Sequence, residues 1–221
     1  MIRCEGLVFA YPDGTRALDG LDLVIERGDR VAITGRNGSG KSTLVRHWNG
    51  LLQPTGGRVL VDGAPTAGRH VAALARIVGM TFQDPDRQLF AGSCQREVAF
   101  GARNVGLRGR ELDAAVDAAL DAVGLTERAA ANPYDLGGSK RRLLGIASVL
   151  AMRTTVVVLD EPTMGLDTAE RERVAAIIAA LATEGRTVVG ISHDTAFIAR
   201  SFNRVVRLEA GRVAADGPSS D

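Results

Sequence analysis

A glycine-rich loop with a fixed pattern constrains this sequence more than any other feature. Residues 35–42 read GRNGSGKS, which matches G-x-x-x-x-G-K-[ST] at every fixed position. Residues 30–34 before it are typical of a buried strand, and residues 41–52 after it predict a helix. Glycines let the backbone turn tightly, so that several N–H groups face one anion, and the helix N-terminus adds to the attraction. The loop therefore predicts a phosphate-binding site, with Lys41 as the cation and the Ser42 hydroxyl as a ligand of Mg²⁺.

Two acids follow a second apolar segment. Residues 154–160 form a β-branched run that predicts a central parallel strand, and Asp160 and Glu161 stand at its end. Ligands bind at the carboxyl ends of the strands in open α/β sheets. Asp160 is therefore a candidate ligand of Mg²⁺, and Glu161 is the candidate general base for an attacking water.

Two further polar residues follow predicted strands. His193 comes after the strand predicted over residues 187–192, so we expect it at the same edge of the sheet, within reach of a γ-phosphate. Gln83 ends the strand predicted over residues 77–82 and is a candidate sensor of the Mg²⁺ or the water. His47 and His70 are interpreted as structural residues.

The remaining pattern predicts the fold class. The expectation is an α/β protein: a P-loop NTPase core with a mainly parallel sheet, an N-terminal antiparallel β-subdomain and an inserted helical subdomain over about residues 84–152. Residues 1–221 are expected to form one domain. The predicted strands are 2–10, 21–26, 58–61, 205–208 and 212–215, and the predicted helices are 112–123, 139–152 (with Ser139 as N-cap), 174–181 and 194–201. The tail, residues 217–220, is expected to fray.

Composition narrows the classes of function. Lys and Arg number 27 against 26 Asp and Glu, so there is no basic excess that indicates nucleic-acid binding. Cys4 and Cys94 are far apart and fit no metal-ligand spacing, which favours reduced thiols. The apolar stretches are too short to cross a bilayer, and residues 1–14 lack the pattern of a secretory leader. We expect no direct membrane insertion.

Together these segments resemble the ATPase subunits of ABC transporters across essentially the whole chain. Residues 35–42 resemble the Walker A loop and residues 156–161 the Walker B strand, while Gln83 resembles the Q-loop and His193 the H-loop. The resemblance implies ATP and Mg²⁺ as ligands, with Glu161, His193 and Gln83 catalytic and Ser42, Gln83 and Asp160 at the metal. The residues implied to bind ATP are Tyr11, which would stack on adenine, Gly35, Arg36, Asn37, Gly38, Ser39, Gly40, Lys41, Ser42, Thr43, Gly138, Ser139 and Asp167 of the D-loop.

A finer resemblance is carried by residues 82–90 (FQDPDRQLF) and 97–101 (EVAFG). They look like the ATPases of energy-coupling-factor importers, which take up vitamins or cobalt and nickel ions. The resemblance implies a second ATPase subunit, identical or paralogous, a transmembrane coupling subunit and a substrate-capture subunit. It also implies that the segment after Gln83 docks the membrane partner, with the protein peripheral at the cytoplasmic face of the cell membrane.

The signature loop departs from the family pattern. The family reads Leu-Ser-Gly-Gly-Gln, and residues 136–140 here read LGGSK. Without gaps, Gly137 stands at the family serine and Lys140 at the glutamine. In the family this loop closes over the ATP of the other subunit. The hypothesis is that it works here in altered form, with Ser139 offering a hydroxyl and a helix N-terminus to that phosphate, as one half of an asymmetric heterodimer.

Three functions remain open at this stage. The first is an ATP-hydrolysing motor that drives uptake through separate membrane subunits. The second is a non-transport ABC protein that uses ATP to clamp a soluble partner. The third, prompted by the altered signature loop, is a nearly inactive regulatory subunit, against which the complete Walker A and Walker B patterns and His193 argue.

Overall fold

The computed structural model describes residues 1–219 and contains two sheets. The smaller sheet is antiparallel and has the order β2-β1-β4-β5. Its strands are β1 (Ile2–Ala10), β2 (Arg16–Ile25), β4 (Gly56–Val61) and β5 (Ala64–Pro65). Buried and exposed positions alternate along much of β1, as expected for a sheet with one face on the core.

The larger sheet has six strands in the order β10-β9-β3-β8-β7-β6. Every neighbouring pair is parallel except β9 with β10. All residues of β7 and β8 are buried, as is typical of parallel strands covered on both faces. The strands are β3 (Arg30–Thr34), β6 (Val78–Met80), β7 (Val156–Asp160), β8 (Thr187–Ile191), β9 (Arg204–Glu209) and β10 (Arg212–Pro218).

Seven α-helices occur in the described chain, and three of them fall between β6 and β7. They are α1 (Lys41–Trp48), α2 (Val71–Leu74), α3 (Cys94–Val105), α4 (Gly109–Ala122), α5 (Gly138–Leu150), α6 (Thr168–Thr183) and α7 (Thr195–Ser201). The predicted fold class is confirmed: a mainly parallel sheet, an antiparallel sheet formed mostly by the N-terminal strands, and a helical insertion.

The large sheet separates two hydrophobic cores. Along β7, Val157 and Leu159 pack into the core formed with the helices, whereas Val156 and Val158 pack into the core shared with the antiparallel sheet. This alternation follows from the two-residue period of a strand. Both faces of the sheet are thus covered, and the ends of its strands remain available for a site.

Several predicted boundaries are wrong, each for a local reason. β2 begins at Arg16 instead of Leu21 because pairing with β1 continues to Ala10. α1 ends at Trp48, since Gly50 takes a φ of 78° that ends a helix. β6 ends at Met80, so Gln83 lies beyond the strand and does not end it.

The prediction that Ser139 caps α5 is also wrong. Gly137 is the N-cap, because its carbonyl accepts the first helical hydrogen bond from Arg141 N at 3.0 Å. Ser139 therefore lies within the first turn. The predicted frayed tail is contradicted at Gly217 and Pro218, which belong to β10; Ser220 lies outside the described residues.

Gly190 provides a test of packing in the large sheet. A Cβ at this position of β8 would lie 2.3 Å from Cζ of Phe202. We expect Gly190→Ala to lower the free energy of unfolding by about 1–3 kcal/mol, because overpacking a core displaces neighbouring groups. Urea unfolding followed by circular dichroism measures the change.

Gly92→Ala is the matched control, since a Cβ there meets no atom of residues 1–219 within 4 Å. Equal stability of the two variants would contradict the packing argument.

Candidate nucleotide-binding site

A cavity of about 400 Å³ lies at the carboxyl edge of the large sheet. The loops after β3, β7 and β8, and the segment beyond β6, meet there because these strands run parallel. The lining residues are Tyr11, Thr15, Arg16, Ala17, Asn37, Gly38, Ser39, Gly40, Lys41, Ser42, Thr43, Gln83, Asp160, Glu161, Ile191 and His193.

The loop between β3 and α1 wraps around the Lys41 side chain. Lys41 Nζ donates hydrogen bonds to the carbonyls of Gly35 at 2.7 Å and Arg36 at 3.1 Å. Burial lowers the pKa of Lys41, and the nearby Glu161 and Asp160 oppose this shift. Gly35 and Arg36 thus contribute through their carbonyls, although neither lines the cavity. The loop thus holds the Lys41 ammonium at the cavity, where a polyphosphate could bind it.

Two glycines of the loop are required by close packing. A Cβ at Gly35 would lie 2.2 Å from the carbonyl oxygen of Leu208, and one at Gly40 would lie 2.6 Å from that of Ala17. Both have positive φ, 138° and 101°, which side chains rarely adopt. No larger residue fits at either position without moving a strand.

Ser42 and Asp160 form the candidate metal site. Ser42 Oγ donates to Asp160 Oδ2 at 2.9 Å, and the backbone N–H of Asp160 donates to Thr81 Oγ1 at 3.0 Å. Asp160 Oδ1 is buried without a hydrogen-bond partner among the described residues. A buried carboxylate oxygen and a hydroxyl are ligands that Mg²⁺ prefers. The residues present therefore fit this ion.

Glu161 and His193 face each other at the next position along the edge. His193 Nε2 lies 3.2 Å from Glu161 Oε1; the Glu161 side chain is 13 % exposed and that of His193 is 49 % exposed. The Glu161 backbone has a φ of 48°, and its N–H donates to the Ile191 carbonyl at 2.9 Å. Since β7 and β8 are hydrogen-bonded neighbours, the strand that precedes His193 also fixes the strained Glu161.

Burial shifts the carboxyl groups of this edge toward their neutral form. It raises the pKa of Asp160, against the hydrogen bond from Ser42 and nearby cations. It also raises the pKa of Glu161, where His193 opposes the shift and Asp160 adds to it. A carboxylate that holds its proton more firmly is better suited to accept one from water.

Tyr11 is held against α1. Its hydroxyl lies 2.9 Å from Thr43 Oγ1, and its ring packs edge-to-face on Phe9, with ring centres 5.0 Å apart. Phe9 in turn packs on His47, which is buried and hydrogen-bonded to the Thr43 carbonyl. This gives His47 a structural role, while His70 is exposed. The Tyr11 ring thus forms one wall of the cavity.

Besides Gly35 and Arg36, three predicted ATP-binding residues lie outside the lining of this cavity. Gly138 begins α5, Ser139 Oγ donates to Glu170 Oε1 at 3.0 Å, and Asp167 caps α6 by accepting from Glu170 N at 2.8 Å. Glu170 therefore connects the signature loop to the start of α6. Within one chain these residues form a separate surface.

Other residues at the site were missed from the sequence. Thr15, Arg16, Ala17 and Ile191 line the cavity, and Arg142 approaches it from α5. The first three follow the turn after Tyr11 and belong to no short motif. Their only signal is nearness in sequence to Tyr11, since β2 passes beside the phosphate loop at Gly40.

Comparison with known proteins agrees with this geometry. The sequence profile described as "ABC transporter" matches residues 18–164, more than half of the chain. The chain belongs to the ABC transporter family. This ABC protein is 41% identical over 219 residues to the energy-coupling factor transporter ATP-binding protein EcfA of Carboxydothermus hydrogenoformans, covering 99% of the chain and 81% of the relative.

Solved structures give the same family. The structure of cbiO1 from Clostridium perfringens, described as part of the ABC transporter complex cbiONQ, is 36% identical with a TM-score of 0.86, covering 99% of this chain and 88% of that one. The dimeric structure of MJ0796, a bacterial ABC transporter cassette, is 26% identical with a TM-score of 0.90, covering all of both chains.

This protein is thus the ATP-binding, ATP-hydrolysing subunit of an ABC transporter. The MJ0796 cassette is described as dimeric, and cbiO1 as part of a transporter complex. Among residues 1–219 of this ABC ATPase, no helix is both long and apolar enough to cross a membrane.

Tyr11 provides a test of adenine stacking. We expect Tyr11→Ala to weaken ATP binding by about 10-fold, since stacking of a base on an aromatic ring contributes roughly 1–3 kcal/mol. Tyr11→Phe keeps the ring and loses only the hydrogen bond to Thr43, so its affinity should stay close to that of the wild type. Titration with a fluorescent ATP analogue measures both. Similar losses for the two variants would exclude stacking.

Proposed function

We propose that this ABC ATPase hydrolyses ATP in the cavity at the sheet edge and drives an importer of the energy-coupling-factor type. The observation that carries the site assignment is the meeting of three groups at one edge: the Lys41 phosphate loop, the Ser42–Asp160 pair and the Glu161–His193 pair. The whole chain acts as one ATPase domain, with about residues 84–152 as its helical part.

In this proposal the phosphate loop binds the polyphosphate and Tyr11 binds the base. Residues 35–43 surround the phosphates with backbone N–H groups and the positive N-terminus of α1, and Lys41 neutralises the β- and γ-phosphates. Ser42, Asp160 and Gln83 hold Mg²⁺, which when bound shields charge on the phosphate oxygens. The base stacks on the Tyr11 ring.

Hydrolysis depends on how water is placed at the γ-phosphate. Glu161 orients a water for in-line attack and accepts its proton, while the departing ADP takes the electrons of the β–γ bond. His193 holds the Glu161 carboxylate and contacts the γ-phosphate, and the Gln83 amide positions the water. The raised pKa of Glu161 supports its role as the proton acceptor.

The second surface of the chain is assigned to the ATP of another subunit. Gly138, Ser139 and Asp167 do not line their own cavity, which fits a role across a dimer such as that of the MJ0796 cassette. Ser139 Oγ is bound to Glu170, so the backbone N–H groups at the start of α5 and the exposed Lys140 remain for the phosphate. The partner ATPase is an identical or paralogous chain.

An apolar groove between α2, α3 and α5 is the proposed docking site for the transmembrane coupling subunit. It has a volume of about 530 Å³ and includes part of the segment after Gln83. Phe90 and Phe100 stand exposed there, 59% and 47% respectively, with ring centres 4.7 Å apart. Exposed aromatic pairs of this kind mark interaction surfaces.

The proposal of an energy-coupling-factor importer is supported by the similarity of this chain to two relatives. EcfA is an energy-coupling factor transporter protein, and cbiO1 is part of a transporter complex. With a membrane coupling subunit on the groove and a substrate-capture subunit beside it, this chain would lie at the cytoplasmic face of the membrane. A soluble clamp is the alternative that the partner experiment below would reveal.

Glu161→Gln tests the hydrolysis site. We expect phosphate release to fall by about 10²–10⁴-fold, because a positioned base contributes that much to the rate. ATP binding should persist, since the amide keeps the shape of the side chain. Glu184→Gln, at an exposed residue remote from the cavity, is the control. A Glu161→Gln variant with wild-type turnover would exclude this residue as the base.

Phe100→Asp tests the docking groove. The tagged wild type should co-purify a transmembrane coupling protein and a small capture protein from gently solubilised host membranes, as identified by mass spectrometry. A charge in the groove should remove both, because apolar burial drives docking. Ala215→Asp, on exposed β10, is the control and should keep them. If only soluble proteins co-purify with the wild type, the importer proposal fails and the clamp is favoured.

A further inference from the structure

Arg142 connects the two loops that carry the proposed water-handling residues. It lies in α5 and is 9 % exposed. A single nitrogen, Nη1, donates to the Gln83 carbonyl at 3.0 Å and to the Glu161 carbonyl at 3.1 Å. The same guanidinium thus fixes how far apart the two backbone segments lie.

The bridge begins where the sheet ends. The pairing of β6 with β7 runs from Val78 to Met80. The last backbone–backbone hydrogen bond along it joins Thr81 N to the Val158 carbonyl, and Asp160 N then donates to the Thr81 hydroxyl. Beyond that point no ladder joins the chain at Gln83 to the chain at Glu161 in the described structure. Glu161 also holds a positive φ of 48°, which is unfavourable for a residue with a side chain. Arg142 supplies the missing connection at this strained position.

The charged guanidinium of Arg142 donates its hydrogen bonds to two backbone carbonyl oxygens. Within residues 1–219 it forms no ion pair with a carboxylate, although Glu161, Asp84 and Asp160 attract it from farther away. Hydrogen bonds from a charged donor are shorter and stronger than neutral ones. A buried arginine that binds two backbone carbonyls of two loops is suited to positioning.

A second contact joins the same helix to the Gln83 segment. Gln88 Oε1 accepts from Phe82 N at 3.1 Å, and Gln88 Nε2 donates to the Gly145 carbonyl at 3.0 Å. A Cβ at Gly145 would lie 3.2 Å from Gln88 Oε1, so the two are in close contact. α5 therefore holds the chain on both sides of Gln83, and Arg142 extends this hold to Glu161.

We propose that Arg142 is a positioning residue for ATP hydrolysis, which sets the Gln83 and Glu161 backbones at the separation that places the attacking water. The inference rests on the proposed roles of those two residues. Arg142 touches neither nucleotide nor water in this scheme, and acts only through the two loops. Because α5 begins at Gly138, a shift of the signature loop on a partner's ATP also shifts this bridge.

The test compares kcat and ATP affinity in the full chain purified with its membrane subunits. We expect Arg142→Gln to lower kcat by about 10- to 100-fold, because a misplacement near 1 Å can cost that much. The dissociation constant for a fluorescent ATP analogue should change by less than about two-fold, since the phosphate loop is untouched. The kcat of Arg142→Lys should fall between those of the wild type and Arg142→Gln. Its ammonium keeps the positive charge, but the side chain is shorter and can hold only one of the two carbonyls.

Arg186→Gln is the matched control for loss of a partly buried arginine. Arg186 Nε donates to the Thr154 carbonyl at 2.8 Å. Thr154 precedes the first residue of β7, whereas Glu161 follows the last, so this contact lies at the other end of the strand. This variant should keep wild-type kcat, even if its stability falls as much as that of Arg142→Gln. Equal losses of kcat in both variants would show a general structural effect and overturn the proposal.

A double variant separates this proposal from the role of Glu161. In single-turnover measurements, Arg142→Gln should add less than about two-fold to the loss caused by Glu161→Gln, because residues that act as a unit are not additive. If Glu161→Gln keeps its activity, the proposed base fails, whatever Arg142 does. If Glu161→Gln is inactive and Arg142→Gln keeps wild-type kcat, the positioning role alone fails.

Thermal unfolding checks that each variant folds. Should Arg142→Gln not fold, Arg142→Lys decides alone: a kcat lowered by about three-fold or more with unchanged ATP affinity supports the bridge. A wild-type kcat for Arg142→Lys would overturn it.

Discussion

The parallel pairing of β3, β8, β7 and β6 determines where every functional group lies. Parallel strands end at the same edge, so the phosphate loop, Asp160, Glu161 and His193 come together although 158 positions separate Gly35 from His193 in the chain. The register is fixed because both faces of β7 and β8 are buried, and a slip by one residue would exchange the two cores. The hydrophobic packing that fixes the strand register thus also aligns the residues of the site.

The site brings several charged side chains together in a partly buried region, where each needs a partner. Lys41, Asp160, Glu161 and Arg142 lie within one region, and burial disfavours the charged form of each. Backbone carbonyls take the hydrogen bonds of the two cations, while Ser42 and His193 partner the two carboxylates. Polar groups that are buried without such partners are costly. Asp160 Oδ1 has no such partner among residues 1–219, and we interpret it as a ligand position for an ion.

Much of the fold and the centre of the site can be predicted from the sequence, because they depend on local patterns. The phosphate loop, the acids that end β7 and the histidine after β8 each stand beside an apolar strand segment. Contacts between distant segments leave no such pattern: Thr15 to Ala17 reach the cavity only because β2 passes beside Gly40. Arg142 looks like any arginine of an amphipathic helix, and the bond from Ser139 to Glu170 depends on how α5 meets α6.

The close contacts of the phosphate loop tie its shape to two strands that lie outside the loop. Gly35 lies against the Leu208 carbonyl of β9 and Gly40 against the Ala17 carbonyl of β2, one strand from each sheet. A substitution that displaces either strand would change the curvature of the loop without altering any of its residues. The shape of the loop therefore depends on where β2 and β9 place the Ala17 and Leu208 carbonyls, as well as on the residues of the loop itself.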